Sequence, residues 1–382
     1  MFRENRTIGI LGGGQLGKMI LDVSNRWDLK VFVLDPDINC ASSKLCSKFF
    51  KGNLMDFDTV VEFGKNVDLI TIEIENVNVD ALKFLQTQGK KVYPQPSVIE
   101  IIQDKSKQKE FYANNKIPTS SYLSCNGINE IKTLISRGDI SFPFIWKASK
   151  MGYDGYGVNK ISNTEDLEKL NDCHCIIEDV ISIQKELSVM VGSRKSGEMV
   201  SYPSVEMEFN KTSNQVEYIL SPAQISQELK IKAEKLANNI AEKFKICGII
   251  AVEMFLTNED EILINEVAPR PHNSYHFSIE GSYTSQFEQF LRAILDLPLG
   301  STKILQNSVM VNLVGEENSK GIVEYKNFDQ IIGIEGVNPH IYGKLETKPN
   351  RKMGHVTIIN QDINAAKALA KKIKETIIIT TK

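Results

Sequence analysis

The chain has 382 residues, of which 42% are hydrophobic and 24% are charged, a composition typical of a globular protein with two or three domains. Its net charge of −3 gives no overall electrostatic attraction to nucleic acid or to an acidic membrane. No apolar run approaches the roughly 20 residues of a membrane helix, and the N-terminus reads as a strand rather than a signal peptide. The six cysteines include no C-x-x-C pair. Together these features predict a cytoplasmic enzyme whose cysteines are reduced.

The N-terminal segment predicts a Rossmann-like unit. The strand TIGIL leads into GGGQLG, where Gly12, Gly14 and Gly17 follow the G-x-G-x-x-G pattern, and the next strand ends in Asp35. An acidic residue near that position binds the ribose in dinucleotide folds, so NAD is one possible ligand. Because such glycines also serve any helix N-terminus that holds an anion, the pattern specifies the fold better than the ligand.

A second strand–helix unit carries acidic residues at the end of its strand. The strand DLITIEIE ends in Glu73 and Glu75, and an open parallel sheet binds ligands beyond the carboxyl ends of its strands. Glu73 is therefore a candidate substrate-binding residue, and the alternative is a solvated acid at a strand end. Two prolines at 93–96 then break the pattern and indicate a domain boundary.

Two lysine positions and a glycine-rich loop follow. Lys105 and Lys109 lie four residues apart on one face of a polar helix, where a solvated helix face is the usual explanation. Lys147 ends an apolar strand that would otherwise be core. The loop GYDGYG at 152–157 has three glycines, which expose backbone N–H groups and let the chain close over phosphates. It is not a Walker loop, because G-x-x-x-x-G-K-[ST] is absent from it.

Two further strands carry glutamates, and a helix follows them. The strand CIIEDVI contains Glu178, and the strand ELSVMVG opens at Glu186. Residues 231–244 have an amphipathic pattern with one apolar stripe, which predicts a helix that packs on the core. We assign no chemistry to that helix.

Residues 248–274, GIIAVEMFLTNEDEILINEVAPRPHNS, predict a hairpin with its turn at 258–261. Folding about that turn places Glu253 opposite Glu266, with Cβ atoms about 5 Å apart, where like charges are destabilising. A hard divalent cation relieves this repulsion, and Mg²⁺ typically takes one or two carboxylates plus substrate phosphates. The alternative is a one-residue shift in register that turns one glutamate to solvent.

The C-terminal region begins after a predicted helix at 285–295 and a boundary at 298–300. A strand, SVMVNLVG, precedes a stretch that we interpret as a turn between strands, in which cationic residues cluster. These residues are Lys344, Lys348, Arg351, Lys352 and His355. A solvated hairpin turn is the usual explanation for such a cluster. We expect a helix near 365–375 to close the chain.

The order and spacing of these motifs resemble the ATP-grasp superfamily over essentially the full length of the chain. The motifs are GGGQLG, EIENV at 73–77, GYDGYG at 152–157, NEVAPRPHNS at 265–274 and YGK…RKMGH at 342–355. Within the superfamily they resemble the N5-carboxyaminoimidazole ribonucleotide synthase family, ATP-dependent ligases of purine biosynthesis.

The resemblance implies an α/β protein, α+β in parts, with three domains. They are a Rossmann-like domain at 1–96, an ATP-grasp domain at 97–299 with a lid subdomain at roughly 119–186, and a small β-rich domain at 300–382. The implied ligands are ATP, two Mg²⁺ ions, bicarbonate and aminoimidazole ribonucleotide. The implied assembly is a homodimer, with no nucleic acid or membrane as partner.

The resemblance also implies a role for individual residues. Those implied to bind ATP are Lys105, Lys147, Gly152, Gly155, Gly157, Glu178, Val180, Ile181, Glu186 and Asn265. The implied metal ligands are Glu253 and Glu266. The implied catalytic residues are Tyr153, Asp154, Arg270, His272 and Asn273. Those implied to bind the ribonucleotide are Gln15, Leu16, Glu73, Lys344 and Arg351, the last two through its 5′-phosphate.

The implied reaction has two steps. ATP phosphorylates bicarbonate, lysines and Mg²⁺ offset the developing charge, and the glycine-rich loop excludes water from the labile carboxyphosphate. The exocyclic amine then takes the carboxyl group, and Asp154 and His272 are candidates for proton transfer. Two residues depart from the family pattern: Tyr156 stands where the loop commonly has arginine, and Phe209 falls near the position of a usual histidine.

Other functions compete with this hypothesis. A formate-dependent glycinamide ribonucleotide transformylase would have the same domains, but GGGQLG and RPHNS favour the carboxylating enzyme. An NAD-dependent oxidoreductase fits the glycine fingerprint and Asp35, but it leaves Lys147, the loop and the paired glutamates unexplained. The intact set of lysines and glutamates disfavours a non-catalytic nucleotide-binding regulator.

Overall fold

The computed structural model describes residues 6–150, 157–210 and 212–382. Its α-helices are α1 (Gln15–Arg26), α2 (Phe57–Lys65), α3 (Val79–Thr87), α4 (Pro96–Ile102), α5 (Lys105–Asn114), α6 (Ile128–Arg137), α7 (Thr164–Glu168), α8 (Gln227–Phe244), α9 (Ser278–Gly281), α10 (Gln286–Ile294) and α11 (Ile363–Thr376). Among the described residues, no helix has both the length and the apolar character that crossing a membrane requires.

The strands fall into an N-terminal, a central and a C-terminal group. They are β1 (Thr7–Leu11), β2 (Lys30–Asp35), β3 (Lys48–Lys51), β4 (Leu69–Ile72), β5 (Lys91–Val92), β6 (Tyr122–Cys125), β7 (Phe144–Ala148), β8 (Val158–Ile161), β9 (Cys175–Asp179), β10 (Ile183–Ser193), β11 (Met199–Ser201), β12 (Val205–Phe209), β13 (Val216–Ser221), β14 (Gly248–Thr257), β15 (Ile262–Ala268), β16 (Ser308–Val314), β17 (Gly321–Lys326), β18 (Val337–Ile341), β19 (Glu346–Thr347), β20 (Lys352–Ile359) and β21 (Ile378–Thr381).

The N-terminal strands form a parallel sheet in the order β3-β2-β1-β4-β5. All residues of β1 and β4 are buried, as expected for parallel strands covered on both faces. The strand order reverses between β1 and β4, and ligands bind beyond the carboxyl ends of the strands at such a point. The predicted Rossmann-like unit is confirmed, and Glu73, directly after β4, lies at this point.

A separate antiparallel sheet, ordered β6-β9-β7-β8, lies in the middle of the chain. It has its own small core, to which Phe144, Trp146 and Ile177 contribute. The strands of this sheet fall inside the range predicted for the lid, whose limits stay a prediction.

The largest sheet runs β15-β14-β10-β12-β13-β16-β20-β18, and β11 pairs with β10. Its β13–β16 pairing joins Tyr218 to Val311, so the sheet continues across the predicted boundary near residue 300. The proline and glycine at 298–300 therefore mark a turn between two parts of one sheet. One hydrophobic core also joins the N-terminal and C-terminal parts of the chain. Leu16 of α1 and Tyr342 belong to the same cluster of buried residues as Met310 of β16.

Three predictions about the elements need correction. Helix α11 does not close the chain, because β21 follows it and pairs with β17; the β-branched run IIITT marks that strand in the sequence. His355 lies fully buried in β20, opposite Asn312, and not in a solvated turn. Helix α8 begins one turn earlier than 231, because Ser226 caps it by accepting a hydrogen bond from the N–H of Leu229 at 3.3 Å.

The N-cap of α8 predicts that substitution of Ser226 changes the stability of the protein. Ser226→Ala should lower the free energy of unfolding by about 1 kcal/mol, because it leaves an orphan N–H in the first turn of α8. Ser226→Asp, which keeps a capping oxygen, is the matched control and should stay near wild type. Urea unfolding of both variants checks the effect, and equal stability of all three proteins would contradict it.

Candidate functional site

The predicted register of the 248–274 hairpin is present. Glu253 of β14 pairs directly with Glu266 of β15, and a bulge follows Glu253. Burial and the neighbouring Glu266 carboxylate raise the pKa of Glu253. The Lys105 ammonium holds the pKa of Glu266 well below its usual range. The two opposed carboxylates thus form a site that favours bound positive charge.

Two predicted phosphate-binding lysines approach the hairpin from different elements, one at Glu266 and one at the neighbouring Asn265. Lys105 is the first residue of α5, and its Nζ lies 2.6 Å from Glu266 Oε2. Lys147 comes from β7 of the separate sheet, and its Nζ donates to Asn265 Oδ1 at 3.0 Å. The structure therefore brings Lys105, Lys147 and Asn265 together around the hairpin.

Lys109 is a member of this group that the sequence analysis missed. The expectation of a solvated helix face is wrong for it, because the residue is only 2% exposed. Its Nζ lies 2.6 Å from Glu178 Oε1. The sequence has no local signal for this burial, since its partner Glu178 lies on β9, remote along the chain.

The residues expected near adenine and ribose border Glu178. Lys147 Nζ forms an ion pair with Glu178 Oε2 at 2.7 Å. Val180 and Ile181 follow β9, and Val180 is 40% exposed although apolar. Burial raises the pKa of Glu186, on β10, the next strand along the chain, to about 7. An exposed apolar residue beside polar groups is a suitable surface for a nucleobase.

The segment after β15 turns its polar side chains toward both the hairpin and the N-terminal sheet. Arg270 Nε forms an ion pair with Glu75 Oε2 at 2.8 Å. His272 Nε2 lies 3.2 Å from Glu253 Oε1, and its Nδ1 lies 2.8 Å from the Ser274 hydroxyl. Asn273 is buried, and its side-chain amide has no hydrogen-bond partner among the residues described. Such an amide is suited to a small polar ligand.

The glycine-rich turn before α1 already holds a protein carboxylate. Glu73 Oε1 accepts from the N–H of Gly14 at 2.7 Å, and Oε2 accepts from the N–H of Gly17 at 2.9 Å. A Cβ on Gly14 would lie 2.7 Å from Glu73 Oε1, which explains the glycine. The carboxylate of Asp35 accepts from Gly13 in the same turn at 2.7 Å. The anion-binding position at this helix N-terminus is therefore filled, which disfavours a dinucleotide pyrophosphate there.

The predicted ribonucleotide-binding residues lie where the first and last parts of the chain meet. Lys344 Nζ donates to Gln15 Oε1 at 2.6 Å and to the carbonyl of Lys352 at 2.6 Å. Arg351 donates from Nη1 to the carbonyl of Glu346 at 2.8 Å. Leu16 differs from these residues, because its side chain packs in the core.

Lys352 is a second residue that the sequence analysis did not assign to the site. Burial and the Glu266 carboxylate raise the pKa of Glu253, and the positive charge of Lys352 opposes that rise in part. The sequence shows Lys352 only as one member of the cationic stretch, and nothing in that stretch distinguishes it from neighbours whose side chains are solvated.

Part of the predicted site lies outside the described residues, namely Gly152, Tyr153, Asp154, Gly155 and Tyr156. Gly157 is described, and its carbonyl accepts from the N–H of Ala148 at 2.9 Å. Phe209 ends β12 and packs, half-buried, against the main core.

The donor set of the hairpin fits a hard cation. Two opposed carboxylates and the Asn265 amide oxygen are ligand types that Mg²⁺ prefers. The Lys105 ammonium now beside Glu266 balances part of the charge that a metal would balance, and His272 lies beside Glu253.

Three sequence models of known domains match the chain. The ribonucleotide synthetase preATP-grasp domain matches residues 5–103, and the ATP-grasp domain matches 110–287. The phosphoribosylaminoimidazole carboxylase C-terminal domain matches 308–369.

Individual proteins agree with these matches. The phosphoribosylaminoimidazole carboxylase of Candida glabrata is 38% identical over 369 residues, 93% of this chain, but the chain spans only 64% of that relative. The N5-carboxyaminoimidazole ribonucleotide synthetase structure from Thermotoga maritima has a TM-score of 0.89 and 38% identity, covering 99% of this chain and 100% of that one. The N5-carboxyaminoimidazole synthase of Aspergillus clavatus, in complex with ADP and 5-aminoimidazole ribonucleotide, has a TM-score of 0.89 and 30% identity, covering 98% of this chain and 99% of that one. The chain therefore belongs to the N5-carboxyaminoimidazole ribonucleotide synthase family, within the ATP-grasp superfamily.

Proposed function

We propose that the protein carboxylates 5-aminoimidazole ribonucleotide with bicarbonate and ATP, releasing N5-carboxyaminoimidazole ribonucleotide, ADP and phosphate. The observation that carries the proposal is the opposed pair Glu253–Glu266, ringed by Lys105, Lys147 and His272. That arrangement suits phosphoryl transfer, where catalysis is mainly positioning and charge stabilisation. The relative from Aspergillus clavatus that binds ADP and the same ribonucleotide supports the substrate assignment.

The phosphate end of ATP belongs beside the hairpin. Glu253, Glu266 and the amide of Asn265 would hold Mg²⁺, and two ions fit the family. When bound, Mg²⁺ neutralises charge on the transferred phosphate. Lys105 and Lys147 supply the remaining positive charge from α5 and β7. We place adenine and ribose against Val180, Ile181 and Glu186, beside the buried carboxylate of Glu178.

Bicarbonate and the reacting amine belong between the hairpin and the N-terminal sheet. Arg270 and His272 carry cationic or proton-bearing groups there, and the amide of Asn273 offers both a donor and an acceptor. His272 Nδ1 is oriented by the Ser274 hydroxyl, so its Nε2 faces Glu253 and can hold or move a proton there. Tyr153 and Asp154 keep the catalytic roles that the family resemblance gives them.

The ribonucleotide belongs at the junction of the first and last parts of the chain. Gln15 and Glu73 lie at the end of the N-terminal sheet, and Lys344 approaches Gln15 from the opposite side. We assign Lys344 and Arg351 to the 5′-phosphate, which does not react but whose binding energy positions the amine. Leu16 can contribute only through its backbone, because its side chain is part of the core. A homodimer and a cytoplasmic location stay predictions from the family.

The test of the function is turnover with defined substrates. ADP release should require the ribonucleotide together with bicarbonate, and formate should not replace bicarbonate. ADP release with formate and glycinamide ribonucleotide would favour the transformylase instead. Absorbance at 340 nm with NAD should stay constant, since Glu73 fills the pyrophosphate position.

Glu266→Gln should remove most ligase activity while the fold is retained. One opposed carboxylate is lost, and with it part of the Mg²⁺ site, so we expect a loss of roughly 100-fold or more in kcat. Glu261→Gln, an exposed position in the turn of the same hairpin, is the matched control and should turn over like wild type. Full Mg²⁺-dependent activity of Glu266→Gln would exclude the metal assignment.

Arg351→Ala should raise KM for the ribonucleotide and leave KM for ATP near its wild-type value. Loss of about 1.5 kcal/mol of charged hydrogen bonding corresponds to roughly tenfold. Arg351→Lys should recover only part of the loss, because lysine cannot bind phosphate with two parallel bonds. Lys348→Ala in the same turn is the control. An equal rise in both KM values would return Arg351 to a structural role.

The raised pKa of Glu186 predicts a pH effect on the nucleotide-free protein. Its folded pKa of about 7 lies above the usual value of 4.5, so the folded state binds the proton more tightly than the unfolded state. Stability should therefore fall as pH rises between these values, and the full cost applies above pH 7. Glu186→Gln should stabilise the protein more at pH 8 than at pH 5, measured as the thermal midpoint. The same shift at both pH values would refute this assignment.

A further inference from the structure

Lys109 is a buried cation that the proposed reaction does not use directly. It lies one helical turn after Lys105 on α5, but it points into the protein. Its Nζ has three polar partners within 3 Å: Glu178 Oε1 at 2.6 Å, Thr119 Oγ1 at 2.5 Å and Ser120 Oγ at 2.9 Å. Two of these contacts are hydrogen bonds to hydroxyl groups, and the contact with Glu178 is an ion pair, so every partner observed for this ammonium group is a protein group. The one charged partner of Lys109 among the described residues is therefore Glu178.

Glu178 is shared between two lysines. Its second oxygen, Oε2, lies 2.7 Å from Lys147 Nζ, and the carboxylate is buried. Lys147 also donates to Asn265, so its donors are divided between Glu178 and the hairpin. Two ammonium groups face one carboxylate, which leaves one positive charge in this part of the site.

The balance between these charges decides how tightly Lys147 is held. If Lys147 were the only cation beside the buried Glu178 carboxylate, it would be held in that ion pair. Turning Lys147 toward a ligand would then leave the carboxylate without a compensating charge. With Lys109 in place, Glu178 keeps a full cationic partner when Lys147 turns to another anion. Burial lowers the pKa of Lys109, the Glu178 carboxylate opposes that shift, and the like charge of Lys147 adds to it.

We propose that Lys109 is a positioning residue for ATP binding, which compensates Glu178 so that Lys147 is available to the polyphosphate. The inference rests on the proposed ATP site and adds to it a residue that touches no substrate. It predicts that the harm done by losing Lys109 depends on the charge of Glu178. A lysine that only stabilised the fold would also depend on Glu178, but the dependence would appear in the thermal midpoint and not in the affinity for ATP.

The experiment is a double-mutant cycle on ATP affinity, measured by calorimetry with the full chain. Lys109→Met should weaken ATP binding roughly tenfold or more, the effect of losing one charged contact. The same substitution in a Glu178→Gln background should weaken it by less than about threefold, because no carboxylate is left to capture Lys147. In turnover, Lys109→Met should raise KM for ATP and leave KM for the ribonucleotide unchanged.

Lys107→Met is the matched control, since Lys107 lies on the same helix and pairs at the surface with Glu100. It should bind ATP like wild type. If Lys109→Met does not fold, Lys109→Gln takes its place with the same expected pattern.

The outcomes separate the two levels of the proposal. Failure of the wild-type protein to bind ATP would overturn the proposed function itself. ATP binding by the wild type with equal effects of Lys109→Met in both backgrounds, or with no effect in either, would overturn the role of Lys109 alone.

Discussion

The opposition of Glu253 and Glu266 across one pair of strands is the constraint around which the site is arranged. Like charges at that distance repel, and water screens the repulsion only in part, because the Glu253 side chain is 13% exposed. Lys105 forms an ion pair with Glu266, and His272 lies beside Glu253. Nucleotide and metal would enter a site whose charges are already set to receive a phosphate–cation pair.

The groups that balance this pair come from separate parts of the chain. Lys105 stands on α5, Lys147 on a strand of the separate middle sheet, and His272 on the segment after β15. Two further contacts, Arg270 with Glu75 and Lys344 with Gln15, tie the N-terminal sheet to the rest. The site is therefore a property of the assembled domains, and a change at any of these junctions should alter the position of several charges together.

The sequence predicted what depends on local periodicity and missed what depends on remote partners. The register of the Glu253–Glu266 hairpin followed from a short turn and the two-residue period of strands. The burial of Lys109 did not, because the carboxylate that permits it lies on another sheet. His355 was placed in a turn because its cationic neighbours dominated the local pattern, although the strand KMGHVTII continued through it. Glu73 was correctly placed at the sheet end, but its hydrogen bonds to the glycine turn become visible only when β1 and β4 lie side by side.

That position of Glu73 also bears on where the phosphate of the proposed ribonucleotide substrate would bind. In a Rossmann-like unit the first glycine turn and helix N-terminus form the natural anion site. Here the Glu73 carboxyl group accepts two of its N–H groups and Asp35 accepts a third, so a phosphate would find these three donors already engaged. The N-terminal domain can then contribute polar contacts such as Gln15, but the cations must come from elsewhere. Lys344 and Arg351 belong to the region that packs against this domain from the C-terminal side. Filling of the usual anion site by a protein carboxylate is thus a physical reason for the proposed phosphate-binding cations, Lys344 and Arg351, to lie in the C-terminal part of the chain.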